Sequence, residues 1–116
     1  MSFYYLASPY SRHPRGFDAA AREAAEAAAI CLKAGIMVVS PIAHSHAVNA
    51  IMQGPTDAAT WAKLNDAIIE ASAGIIVVKM DGWETSDGIA AEIKLAGSLR
   101  LPVFYMKPDG PASFHW

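Results

Sequence analysis

The chain has 116 residues, of which 53% are hydrophobic and 17% charged, which fits one packed domain over 1–116 and excludes a disordered chain. A formal net charge of −2 provides no basic footprint for a nucleic-acid backbone, and the single Cys31 excludes an internal disulfide framework. No uncharged apolar run reaches the ~18–20 residues needed to cross a bilayer. The opening MSFYYLASPYSR lacks the basic start and long apolar stretch of a signal peptide, so a cytoplasmic location with no membrane or nucleic-acid partner is expected.

Phe3-Tyr4-Tyr5-Leu6-Ala7 reads as a first strand, closed by Ser8-Pro9, with a polar loop to Gly16. An alanine-rich helix follows, with Asp18 as the expected N-cap and Gly35 at the left-handed position past its end. Ile36-Met37-Val38-Val39 is a second strand. Ser40 to Asn49 reads as a loop, with a break at Gly54-Pro55. Thr56 and Asp57 open a helix through Trp61, Leu64, Ile68 and Ile69 at helical spacing. Ile75-Ile76-Val77-Val78 is an apolar β-branched run with no polar alternation, as expected of a strand covered on both faces. A loop over 81–88, a helix from Ile89 to Ser98 and a strand from Leu101 to Met106 complete the pattern. The tail after Lys107 has no periodicity and is expected to be mobile or to dock on a partner subunit.

Strands alternating with helices imply a small doubly wound α/β fold of the flavodoxin or Rossmann-like kind. Its parallel sheet would have four to five strands, with helices on both faces. Ligands in such sheets bind at the carboxyl ends of the strands, where the strand order reverses. That rule selects three segments: 8–16, 40–49 and 80–88.

In the first, Ser8, Ser11, Arg12 and Arg15 suit an anion, since arginine clamps a phosphate with two hydrogen bonds; the plainer reading is a solvated loop. In the third, Asp81, Trp83, Ser86, Asp87 and Gly88 lead into a helix carrying Glu92. That carboxylate has three chemical roles open to it, as nucleophile, general base or general acid. Alternatively, it only complements the helix dipole. Asp66 on the preceding helix can reach the same end of the sheet, and two carboxylates near one sugar are what glycosyl chemistry requires. His44 and His46 form an H-x-H pair with too few companions for a metal site, so His46 is expected to line a pocket and no metal or cofactor is expected. Trp61 and Trp83 either pack or stack on a base.

Tyr5-Leu6-Ala7-Ser8-Pro9-Tyr10 resembles the Y-L-A-G-P opening of the nucleoside 2-deoxyribosyltransferase superfamily. Ser86-Asp87-Gly88-Ile89-Ala90-Ala91-Glu92 resembles its D/S-x-G-x-x-x-E signature, and Asp66 falls where that family places a second carboxylate. The resemblance runs from Tyr4 to about Met106, and the chain is similar to a small branch that begins YLASPYS. It implies cleavage of the N-glycosidic bond of a nucleoside or nucleotide. Glu92 would attack the anomeric carbon, Asp66 would hold the sugar or steady Glu92, and Tyr5 would hydrogen-bond the nucleophile. Transfer of the sugar to water makes a hydrolase, and transfer to another base a transferase.

Two departures matter. Transferases acting on free nucleosides have an acidic residue where this chain has Ser86. The related nucleoside 5′-monophosphate N-glycosidases have serine there, as a phosphate ligand. The 113–116 tail matches no transferase C-terminus that completes a neighbouring subunit's site, which favours the hydrolase. A homo-oligomer is expected from the apolar composition and the small-residue helix. The rival classes are a nucleotide-binding module without chemistry and a metal-dependent hydrolase built on His44 and His46.

Overall fold

The computed structural model describes residues 2–52 and 58–115, so the expected break at Gly54-Pro55 and the expected helix opening at Thr56 and Asp57 lie outside the described residues. Five strands, β1 (Tyr4–Ala7), β2 (Val38–Val39), β3 (Ile75–Val78), β4 (Val103–Lys107) and β5 (Gly110–His115), form one sheet in the order β2-β1-β3-β4-β5. The first four run parallel, and β5 returns antiparallel against β4. From β2 the chain crosses back past β1 to reach β3, so the strand order reverses between β1 and β3. Right-handed crossovers in opposite directions put their helices on opposite faces of the sheet.

Side-chain alternation along the strands divides the core accordingly. Tyr5, Ala7, Ile75 and Val77 face Ile69 of α3 (Ala58–Ala71) and Ile89 and Ala96 of α4 (Asp87–Ser98). Leu6, Ile76 and Val78 face Ala27 and Cys31 of α1 (Phe17–Lys33), together with Met80 and Met106. This is the expected doubly wound α/β sheet. All four residues of β3 are buried, which is why no polar residue interrupts that run. On α1 the buried residues Ala20, Ala24, Ala27 and Cys31 recur at helical spacing, and their small volume lets the helix lie close to the sheet.

Three local expectations are corrected. Helix α1 starts at Phe17 with Gly16 at the N-cap and no side-chain cap bond. Asp18 is instead in the first turn, where Oδ1 is 2.8 Å from His46 Nε2. The segment read as a loop over 40–49 is mostly helix α2 (Pro41–Met52), packed on α1. Ser40 Oγ caps it by accepting from Ala43 N at 3.3 Å, and Pro41, whose fixed φ suits the first helical position, follows. The segment after Lys107 is not a loose tail but an edge strand. A turn at Pro108-Asp109 reverses the chain and pairs Lys107 with Gly110 and Tyr105 with His115.

The loops at the carboxyl ends of β1 and β3 are pressed together. Gly82 adopts φ +94, and a Cβ there would lie 2.3 Å from the Arg12 carbonyl oxygen. Gly82→Ala therefore combines an unfavourable backbone conformation with a clash against main chain, and should cost roughly 2–3 kcal/mol. Gly97, inside α4, has nothing within 4 Å of its would-be Cβ. Gly97→Ala should raise stability by about 0.5–1 kcal/mol. Thermal unfolding of the two variants checks both signs; equal shifts would remove the close approach at Gly82 as the cause.

Candidate active site

Helix α4 begins at a capped end. Ser86 Oγ accepts from Ile89 N at 3.2 Å, satisfying one of the free N–H groups of the first turn. Ile89, Ile93 and Ala96 make the apolar stripe that packs on the sheet. Glu92 falls on that stripe at i+3 from Ile89, so the helix carries a carboxylate toward the sheet where its pattern calls for an apolar side chain. Tyr5 meets it from β1: the Tyr5 hydroxyl donates to Glu92 Oε2. The bond leaves Oε1 of the carboxylate without that partner.

The electrostatics follow from this burial. Loss of hydration pushes the Glu92 carboxyl up from its usual 4.5 to about 7. The hydrogen bond from Tyr5 works against that rise, and the charge of Asp66 adds to it. Burial also drives the Tyr5 hydroxyl well above its ordinary value, with the charges of Glu92 and Asp66 acting in the same direction. Tyr5 therefore remains a donor throughout the physiological range.

Glu92 opens onto a cavity of about 470 Å³. Loop 8–16 contributes Ser8, Tyr10 and Ser11 to its wall. Helix α2 contributes Ile42, Ser45, His46 and Asn49, which share one helical face, and α3 contributes Trp61, Ala62 and Asn65. Ser86, Gly88 and Glu92 of the α4 segment close it. Three polar atoms buried at this wall have no hydrogen-bond partner among the described residues: Ser8 Oγ, Asn49 Oδ1 and Asn65 Oδ1. His46 is held by both of its ring nitrogens, Nδ1 2.7 Å from the Tyr10 hydroxyl and Nε2 2.8 Å from Asp18 Oδ1.

Of the residues singled out in the sequence, Ser8, Ser11, His46, Trp61, Ser86, Gly88 and Glu92 line this cavity, and Tyr5 reaches it through Glu92. Asp66 is exposed and acts on Glu92 and Tyr5 through its charge. Arg12, Asp81, Trp83 and Asp87 are outside the lining. Arg12 lies 3.7 Å from Asp87, and Asp81 accepts from Arg15 at 3.4 Å. Arg15 also pairs with Glu23, so the arginine that suited an anion is engaged with two carboxylates of its own chain. Trp83 packs on the core edge-on to Tyr105, with ring centres 5.8 Å apart. Tyr10, Ile42, Ser45 and Asn49 lie in segments 8–16 and 40–49 but are not singled out by residue type, and Ala62 and Asn65 lie outside the three segments. For Ile42, Ser45 and Asn49 the available signal is the Ser40-Pro41 helix start, which puts them on one face with His46. Asn65 follows from Trp61 at i+4 on α3, and Ala62 is three residues before Asn65.

His44 is exposed on α2, and among the described residues no group of three or more His, Cys, Asp or Glu is placed to hold a metal ion. Among the same residues no helix is long and apolar enough to cross a membrane.

The raised Glu92 value makes stability depend on pH. Between about 4.5 and about 7 the folded chain holds this proton more tightly than the unfolded chain. Stability contributed here is therefore lost as pH rises through that window. Glu92→Gln keeps an acceptor for Tyr5 and removes the buried charge. The variant should be more stable than the parent by roughly 1–3 kcal/mol at pH 8, with the advantage shrinking toward pH 4. Melting curves across that range check the trend, and a difference independent of pH would refute it.

A family model described as a domain of unknown function, DUF1937, matches residues 2–108. No curated protein matches the chain. The match spans the whole parallel sheet and every element that lines the cavity, so the chain belongs to the DUF1937 family.

Proposed function

We propose that the protein cleaves the N-glycosidic bond of a nucleoside or nucleoside 5′-monophosphate, through a covalent glycosyl-enzyme on Glu92 that water resolves. The observation that carries this reading is the Glu92 carboxylate, held through one oxygen by Tyr5 and opening onto a cavity at the carboxyl end of β1. The cavity size is in the range used for small-molecule ligands. The resemblance of the Tyr5–Tyr10 and Ser86–Glu92 segments to the nucleoside 2-deoxyribosyltransferase superfamily supports the same chemistry.

In the first step Glu92 Oε1 attacks C1′. The C1′–N bond breaks, its electron pair leaves with the base, and the base takes a proton from solvent. In the second step a water oxygen attacks C1′, the ester bond to Glu92 breaks and the water proton is released. Splitting one displacement into two lowers each barrier. Both steps pass through a transition state with positive charge at the sugar, which the negative field of Asp66 stabilises. A second base in place of water would make the reaction a transfer.

The 5′-phosphate reading draws on neutral donors. Ser86 Oγ already accepts from Ile89 N, so its hydroxyl proton is free to donate. Ser8 and Ser11 add hydroxyls on the facing loop, and the N-terminus of α4 adds its dipole. Among the described residues that line the cavity there is no lysine or arginine.

Screening nucleosides and 5′-monophosphates for release of free base, with and without an acceptor base, tests the reaction. Glu92→Ala should lower turnover by about 10³-fold or more, and undiminished release would eliminate the mechanism. Attack requires the ionised carboxylate, so kcat/KM should fall about tenfold per pH unit below about 7. Because the Tyr5 bond lowers the Glu92 value, Tyr5→Phe should move that acid limb to higher pH. An unmoved limb would detach Tyr5 from Glu92. Ser86→Asp retains a helix cap and sets a carboxylate against a phosphate. It should weaken 5′-monophosphates far more than nucleosides, with Arg12→Ala having the smaller effect. Equal losses on both substrate types would discard the phosphate.

A further inference from the structure

One wall of the cavity carries a chain of hydrogen bonds that ends in water. Tyr10 of loop 8–16 and His46 of α2 both line the cavity, and both are half-buried, so each keeps accessible surface. The Tyr10 hydroxyl lies 2.7 Å from His46 Nδ1, and His46 Nε2 lies 2.8 Å from Asp18 Oδ1. Exposure rises along the chain, from 26% for the His46 side chain to 99% for that of Asp18. Phe17 packs against the Tyr10 ring with ring centres 4.6 Å apart, which limits the swing of the phenol. The Asp18 carboxylate only accepts, so Nε2 carries a proton whether the imidazole is neutral or charged. Nδ1 alone changes role. In the neutral ring it accepts from Tyr10. In the imidazolium it donates to the Tyr10 oxygen, and the Tyr10 hydroxyl proton is then free to point into the cavity. Burial and the charge of Asp18 raise the Tyr10 hydroxyl above its ordinary value, so it remains a neutral carrier. Among the described residues that line the cavity the titratable groups are Tyr10, His46 and Glu92, and Glu92 is already taken as the nucleophile.

We propose that Tyr10, backed by His46 and Asp18, is the acid–base group of the reaction: it hands a proton to the departing base and takes one from the attacking water. This rests on the N-glycosidase reading for the two steps, and on the hydrogen-bond chain for the carrier of their protons. In the first step the Tyr10 O–H proton passes to the base nitrogen as the C1′–N electron pair moves onto that nitrogen. The Nδ1 proton follows to the Tyr10 oxygen, and His46 ends neutral. In the second step the water oxygen bonds to C1′ and the ester bond to Glu92 breaks. The water proton passes to the Tyr10 oxygen while the Tyr10 proton returns to Nδ1. The imidazolium is restored, and one proton has moved from water to base. The exposed Asp18 end keeps His46 in proton exchange with solvent, so the solvent proton of the reaction reaches the base by this route. His46 and Asp18 act through Tyr10 and are positioning residues. The titratable and charged groups that face His46 are Asp18 of α1, Tyr10 of loop 8–16 and, on the same cavity, Glu92 of α4.

The test sets substrates that need this proton against substrates that do not. The nucleoside or 5′-monophosphate that releases base in the screen is compared with its N7-methylpurine counterpart or, for a pyrimidine, its 5-nitrouracil counterpart. Those bases leave as a neutral species and as a stabilised anion, so neither requires an acid. The ratio kcat/KM covers the steps through base departure. Tyr10→Phe, which keeps the ring against Phe17, and His46→Gln should lower it about 10²-fold or more on the unmodified substrate and less than about tenfold on the activated one. Asp18→Asn, at an exposed position where folding is not at stake, should give the same contrast at smaller size. In the parent protein kcat/KM should also fall on the alkaline side as His46 gives up its proton, and His46→Gln should lack that limb. A purely structural role for the three residues predicts equal losses on both kinds of substrate. Equal losses, no loss, or an alkaline limb absent from the parent or retained in His46→Gln overturns this inference and leaves the glycosidase reading standing. No base release from any substrate by the unmodified protein overturns that reading and this inference with it.

Discussion

Tyr5 and Glu92 belong to different layers of the fold, and the hydrogen bond between them constrains both. Glu92 occupies a position on α4 that packing assigns to an apolar side chain, on the stripe formed by Ile89, Ile93 and Ala96. An acid there is tolerable because it meets a donor that does not itself ionise and because one side of it opens onto a cavity. Tyr5 is among the largest fully buried side chains, so it has no freedom to follow Glu92 elsewhere. The result is a carboxylate fixed in direction and partly stripped of water. In the proposed reaction those two properties are what a nucleophile needs: a set approach to C1′ and a value near neutrality, where an ionised form is still basic.

Around this pair the charged side chains do structural work and the neutral ones face the cavity. Arg15 ties Glu23 on α1 to Asp81 beyond β3, and the loop carrying Asp81 presses Gly82 against the Arg12 main chain. His46 bridges α2 to Asp18 at the start of α1 and to Tyr10 in the first loop. These contacts hold the three segments that end the strands in one arrangement. The cavity wall includes serine hydroxyls, two asparagines, Tyr10, His46 and a tryptophan. Arg12 and Arg15 stand outside this lining, beside carboxylates of their own chain.

Particular residues separate what was legible in the chain from what was not. The β-branched run 75–78 could only be a strand covered on both sides, and it is. Glu92 stood out as an acid among alanines on a helix that follows that strand. By contrast, the loop reading of 40–49 gives no weight to Ser40-Pro41, although serine followed by proline is also the start of a helix. Read as a loop, 40–49 still belongs to the ligand-binding end of the sheet, but only as a helix does it set Ile42, Ser45, His46 and Asn49 on one face. Pro108-Asp109-Gly110 is a turn signal, but the edge strand it leads into has little apolar pattern of its own.

Local chemistry, then, determined the order of strands and helices, the burial of the central strand and the presence of an acid on an inward helical stripe. Each depends only on residues a few positions apart, whose periodicity the backbone converts directly into a face. Pairing Tyr5 with Glu92, turning Arg12 and Arg15 toward carboxylates of their own chain, and gathering Asn49 and Asn65 onto one wall were decided by the tertiary structure alone. Those contacts join segments up to 87 positions apart. Their partners are chosen by crossover handedness, strand order and close packing between loops, none of which any one stretch of sequence contains.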